Sequence, residues 1–201
     1  MVLSKTLQKY LDVPALFNGI RHILCMDQKK YVKRILKPCH FKKILDVGSG
    51  TGDFANAIDA QYVGIDSTPS FVEYSNEKYE SKNKKFYLMD ATKLNFKNNE
   101  FDAAMLISFI HHLPDKLVID ILRSVKRVVK KKIIIIDLIP PKTSLISKFF
   151  YALDRGGYIR SLDKQIELVK KAGVLTIEKV SDFKTTPGIY RHSVIICKPK
   201  R

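Results

Sequence analysis

The 201-residue chain has no tryptophan and only three cysteines, Cys25, Cys39 and Cys197, each far from the others. Their spacing holds no CxxC pair and no histidine at ligand distance. That argues against a zinc site or disulfide framework and fits a reducing compartment. The missing tryptophan excludes little. Long apolar runs are also missing: stretches such as Ile133 to Ile136 fall far short of a bilayer span. The opening MVLSKTLQKYLDVP lacks the apolar core of a signal peptide. A cytoplasmic location is therefore expected. No internal repeat or low-complexity segment is seen.

Acidic residues are few beside basic ones, 20 against 36, giving a formal net charge of +16. Such a balance fits either an anionic partner such as nucleic acid or a lysine-rich solvated surface. The lysines are scattered (Lys29-Lys30, Lys42-Lys43, Lys84-Lys85, Lys130 to Lys132, Lys198 to Lys200) rather than gathered in one arm, which favours the solvated surface. A hydrophobic fraction of 45% and a charged fraction of 28% are ordinary for a globular chain. The length suits one domain over 1–201.

Glycine is sparse at 9 residues, yet three fall within five positions: Gly48, Gly50 and Gly52. They follow the strand-like run Ile44 to Val47 and precede a helix-like pattern with Phe54, Ala55 and Ile58. A strand turning at once into a helix would leave N–H groups and the positive helix end facing a ligand. Short apolar strands and helical patterns then alternate. Strands are expected at Tyr62–Ile65, Phe86–Met89, Ala103–Ile107 and Ile133–Ile136, with helices from Pro69 and over Leu117–Val128. Alternation implies crossover connections and a parallel sheet covered on both faces. Ligands of such sheets gather at the carboxyl ends of the strands, where Asp46, Asp66, Asp90 and Asp137 fall.

The tail breaks this rhythm. Ser161 is placed to cap a helix running to Gly173, and Val174–Val180 and His192–Cys197 read as a hairpin. The expected fold is α/β: seven strands, mostly parallel, with one antiparallel strand near the edge. Residues 1–40 read as a helical lid, 41–137 as the core, 138–160 as an insertion lining a pocket, and 161–201 as the last helix and hairpin.

The ordered motifs ILDVGSGTG, YVGID, FYLMDATKLNF and FDAAMLISFIHHLPD resemble those of the class I S-adenosylmethionine-dependent methyltransferases, especially the small-molecule type. The resemblance covers residues 41–137 and extends to the terminal hairpin. It implies a Rossmann-like, doubly wound sheet. It also implies S-adenosyl-L-methionine as cofactor and S-adenosyl-L-homocysteine as product. Asp66 would accept from the ribose diol, each charge-assisted bond being worth roughly 1.5–3 kcal/mol. Gly48, Ser49, Gly50 and Gly52 would face the methionine and ribose parts, with Asp46 ordering that loop. Asp90 would accept from the adenine amino group, beside the Ala91 N–H. Ser67 stands where many relatives carry a bulky apolar residue against adenine. Ile107 and Ser108 would flank the sulfonium.

Methyl transfer from a sulfonium is an in-line displacement, so the protein must align two reactants and exclude water. A protonated nucleophile also needs a base within reach, for which His111, His112 and Asp137 are candidates. Arg21, Arg155 and Arg160 are candidates to hold an anionic group. The segment Ile107-Ser108-Phe109-Ile110 is not the Asn/Asp-Pro-Pro-aromatic set of base amino-methylation. A small-molecule acceptor is the leading reading and RNA methylation the second. A non-catalytic S-adenosylmethionine-binding module and a nicotinamide-dependent dehydrogenase stay open, although Gly48-x-Gly50-x-Gly52 departs from GxGxxG.

Overall fold

Seven extended runs assemble into one sheet: β1 (Lys43–Val47), β2 (Gln61–Asp66), β3 (Lys84–Leu88), β4 (Phe101–Ile107), β5 (Val129–Leu138), β6 (Leu175–Lys184) and β7 (Arg191–Pro199). The computed structural model describes residues 27–37, 40–141, 147, 151, 156–186 and 188–200. Spatial order is β3-β2-β1-β4-β5-β7-β6. The first five strands pair in parallel. Strand β7 runs antiparallel between β5 and β6, meeting the expectation of one reversed strand near the edge. Chain order reverses at β1 and β4, so the crevice for a ligand opens between the exits of those two strands.

Both faces are buried, which is why the strands read as uninterrupted apolar runs. Leu45, Val47, Ile133 and Ile135 pack on one face with helices α3 (Asp115–Val128) and α4 (Leu162–Ala172). Ile44, Ile134 and Ile136 pack on the other with α1 (Gln28–Leu36) and with Val72 of α2 (Pro69–Tyr79). Helix α3 buries Val118, Ile121, Leu122, Val125 and Val128, one stripe at helical spacing. The Ser161 hydroxyl accepts from the Lys164 N–H at 3.2 Å to open α4. Gly173, at φ +77°, closes it.

Two local expectations fail. No α-helix follows the glycine loop; turns lead into a single 3-10 turn at Ala55–Ala57. The loop's three positive-φ glycines and its hydrogen bonds to β2 bend the chain too tightly for helical continuation. Strand β5 begins at Val129, ahead of the expected start at Ile133. Helix α3 passes straight into β5, where Val129 pairs with Phe101 and Lys131 reaches Asp102 at 3.2 Å. Of the expected helical lid over 1–40, only residues 27–37 and 40 are described; Arg21 and Arg155 lie outside the described residues.

Candidate functional site

The exits of β1 and β2 are tied together by the glycine loop. The N–H groups of Gly48 and Ser49 both donate to the Ile65 carbonyl at 2.9 Å. Gly48, Gly50 and Gly52 have φ of +71°, +52° and +72°, a region that side chains disfavour. A Cβ on Gly48 would stand 2.2 Å from the Phe109 ring, and one on Gly52 would stand 2.8 Å from Phe86. At these two positions the space left by the missing side chain is filled by the protein's own rings. The helix N-terminus inferred from sequence is absent, so the loop's N–H groups point to Ile65 and Asp66 instead. Gly64 serves close packing inside β2. A Cβ there would meet Phe86 at 2.7 Å and the Ser49 hydroxyl at 2.8 Å.

Asp66 ends β2 half-buried. Its Oδ2 accepts from the Gly50 N–H and its Oδ1 from the Thr68 N–H, both at 2.9 Å. One bond per oxygen leaves each able to accept another, which suits a diol. Ser67 is exposed beside it. Met89, just past β3, donates its N–H to the Asp66 carbonyl at 2.9 Å and so brings Asp90 to the same mouth. Asp90 is exposed, and its Oδ1 accepts from the Thr92 N–H and hydroxyl at 2.8 Å. Those two bonds hold its carboxyl below the ordinary range despite slight desolvation. Its Oδ2 has no hydrogen bond among the described residues. Ala91 is half-buried against the core. Asp46 is buried and accepts from the Tyr62 hydroxyl at 2.5 Å, a partner that nothing in the spacing announced.

The exit of β4 is the other wall. Ile107 is buried, and Ser108 adopts φ +50° although it carries a side chain. Its N–H donates to the Ile136 carbonyl at 2.8 Å, and its hydroxyl accepts from the Gln28 amide at 2.9 Å. Beyond it, Asp137 at the end of β5 is fully buried. Its Oδ2 accepts from the N–H groups of Ile110 (2.6 Å), Phe109 (3.2 Å) and His111 (3.2 Å). Its Oδ1 meets the Leu138 N–H at 2.6 Å and pairs with His111 Nδ1. Burial pushes this carboxyl up, but the neighbouring His111 and the donors outweigh it and hold it below the ordinary range. His111 is buried; His112 is exposed, with ring centres 4.0 Å apart.

Arg160 does not present its guanidinium to a ligand. It is buried and holds Asp115 at 2.8 Å and the carbonyls of Ile110 (2.9 Å), Tyr158 (2.9 Å) and Leu113 (2.5 Å). Its work is to brace the His111 loop, because a buried guanidinium needs its donors filled locally. Tyr151 is likewise internal, donating to the Ile139 carbonyl at 2.7 Å. Sequence reasoning missed Gln28, Arg160 as a brace, and Gln165. The Gln165 amide reaches the Leu138 carbonyl at 2.8 Å and accepts from the Ser193 hydroxyl at 2.6 Å. For Gln28 and Gln165 the only signal was a polar residue on an amphipathic helix; Arg160, in the loop before α4, gave none.

Residues 45–136 match the family model described as a methyltransferase domain. The demethylmenaquinone methyltransferase of Thermotoga maritima is 29% identical over 136 residues, 63% of this chain and 58% of the relative. The enzyme of the same name from Staphylococcus aureus is 29% identical over 156 residues, 72% of this chain and 64% of the relative. The chain thus spans about three fifths of the length of these curated relatives. Among solved structures, the [4+2]-cyclase SpnF superposes with TM-score 0.75 at 16% identity, covering 96% of this chain and 95% of SpnF. YcgJ of Bacillus subtilis gives 0.64 at 18%, covering 86% and 98%. These likenesses carry the fold alone.

Strand order, parallel pairing and the terminal hairpin define a Rossmann-like fold. The methyltransferase-domain match over residues 45–136 and the methyltransferase relatives support a class I S-adenosylmethionine-dependent methyltransferase. The residues present fit that cofactor: Asp66, with accepting capacity left on each oxygen, suits a ribose diol, and Asp90, exposed at the same mouth, suits an amino group. No helix among the described residues is long and apolar enough to cross a membrane.

Proposed function

We propose that the protein transfers a methyl group from S-adenosyl-L-methionine to a small-molecule acceptor. The observation that carries this reading is Asp66, whose two oxygens each keep accepting capacity at the end of β2, one strand from the switch point of the sheet. The bound cofactor supplies an electrophilic methyl group on a sulfonium. The chain's task is to grip the adenosyl part with Asp66 and Asp90 and to present Ile107 and Ser108 beside the reacting end. The segments expected to cover the mouth and shape the acceptor pocket, 1–40 and 138–160, lie in part outside the described residues.

Where the acceptor arrives protonated, His111 takes the proton. Asp137 engages Nδ1, which sets the tautomer with Nε2 as the accepting atom. Asp137, saturated by donors, acts as the orienting group, and His112 lies at the exposed margin. The curated relatives are named for demethylmenaquinone, and that acceptor is the first to test. RNA is the weaker alternative, because several lysines are spent on ion pairs, such as Lys43 with Glu100 at 2.6 Å and Lys131 with Asp102 at 3.2 Å.

The test is incubation with methyl-labelled cofactor and a panel of demethylated quinols, phenols and RNA. Labelled small-molecule product, lost in Asp66→Ala, is expected. Cofactor binding without transfer to any acceptor would overturn the catalytic reading.

A further inference from the structure

We propose that Gln28 is a positioning residue of the cofactor site, holding the Ser108 hydroxyl and with it the backbone that borders the methyl-transfer centre. The inference rests on the cofactor site described above. Gln28 opens α1 and is only 1% exposed, on a helix whose other polar residues include Lys29, Lys30, Lys33 and Arg34. Burying an amide is costly unless it is bonded, and its Nε2 donates to the Ser108 hydroxyl at 2.9 Å across 80 positions of chain. Ser108 at φ +50° sits where a side-chain-bearing residue persists only if its surroundings hold it. It is held from two sides, by the Ile136 carbonyl on its N–H and by Gln28 on its hydroxyl.

The neighbours of Gln28 fasten the same turn. Asp27 accepts from the Thr186 hydroxyl on the β6–β7 connection, and Lys29 reaches Asp53, one residue past Gly52, at 3.4 Å. The first turn of α1 therefore bridges the glycine loop, the β4 exit and the terminal hairpin. The flanking contacts are open to water, which weakens them; the Gln28 bond is shielded.

The experiment measures the Kd of S-adenosyl-L-homocysteine by calorimetry for the intact protein and for Gln28→Met, Ser108→Ala and the double variant. Each single change is expected to weaken binding about 3- to 10-fold. The double should be no worse than the weaker-binding single, because both remove one shared bond. Ser108→Gly in the Gln28→Met background takes the same φ with no side chain to hold, and is expected to recover most of the lost affinity. Urea unfolding of each variant, read in parallel, shows a general loss of fold stability as a lowered midpoint and so keeps it apart from weakened binding. Ser108→Ala changes one atom of a half-buried side chain, so it carries the test if Gln28→Met fails to fold. Unchanged affinity in the single variants, multiplying losses in the double, or no rescue by glycine would overturn the proposal. Asp66→Ala separates the levels. If it abolishes binding while the Gln28 and Ser108 variants bind normally, only Gln28's role falls. If it too binds normally, the cofactor site itself is wrong.

Discussion

Asp66 and Asp137 end strands at the same edge of one sheet, yet their surroundings are opposite. Asp66 is half-buried and takes one backbone N–H on each oxygen. Asp137 is sealed from water and takes four backbone N–H groups and the His111 ring. A carboxylate with accepting capacity at a mouth is available to a ligand. One whose lone pairs are filled by its own chain is a knot, tying the loop after β4 to β5. Identical residue types at equivalent strand ends thus differ, by donor count alone, in the accepting capacity they leave for a ligand.

Removing the knot should cost most. Asp137→Asn puts an amide NH2 among N–H donors and leaves buried groups unsatisfied, an expected loss of about 3–5 kcal/mol in urea unfolding. A loss below about 1 kcal/mol would erase the contrast between the two acids. The same pair predicts a pH signature. Because Asp137 keeps its charge to lower pH folded than unfolded, its stabilisation is full above the unfolded carboxylate pKa of about 3.9 and is lost as pH falls below it. The fall of stability with pH in that acid range should be shallower in Asp137→Asn than in the parent protein.

The glycines sharpen the comparison. Gly48→Ala meets both a positive φ and the Phe109 ring, and is expected to cost about 2–4 kcal/mol. Gly173→Ala meets a similar φ, but its nearest neighbour stands 3.9 Å away, so about 1 kcal/mol is expected. Equal losses in thermal unfolding would show that Phe109 yields and that the loop is looser than described. The smallest effect is expected at Asp90→Ala: stability within about 0.5 kcal/mol, and cofactor affinity reduced by roughly 3- to 10-fold.

The strands, their order of appearance and the edge that gathers the acids were legible because two-sided burial writes apolar runs such as Ile133–Ile136 directly into the chain. Ser161 and Gly173 announced α4 because capping chemistry is local. The glycine loop misled on one point. Three glycines permit a strand-to-helix turn, but whether a helix follows depends on Ile65, Phe86 and Phe109, which are distant in sequence. The lysines before Ile133 were not legible as strand because their pairing with Asp102 and Glu178 cannot be read locally. The same holds for the site: Asp66, Asp90 and Asp137 were visible as strand-end acids, whereas the donors that divide their roles come from elsewhere in the chain. Gln28 and Arg160 act through contacts 80 and about 50 positions away.

The most direct test is calorimetric titration of S-adenosyl-L-homocysteine into the intact protein and into Asp66→Ala. The account expects saturable one-to-one binding by the first and a Kd weakened on the order of ten- to a hundredfold in the second, with the fold retained. Equal affinity in the two proteins, or no binding by either, would contradict it.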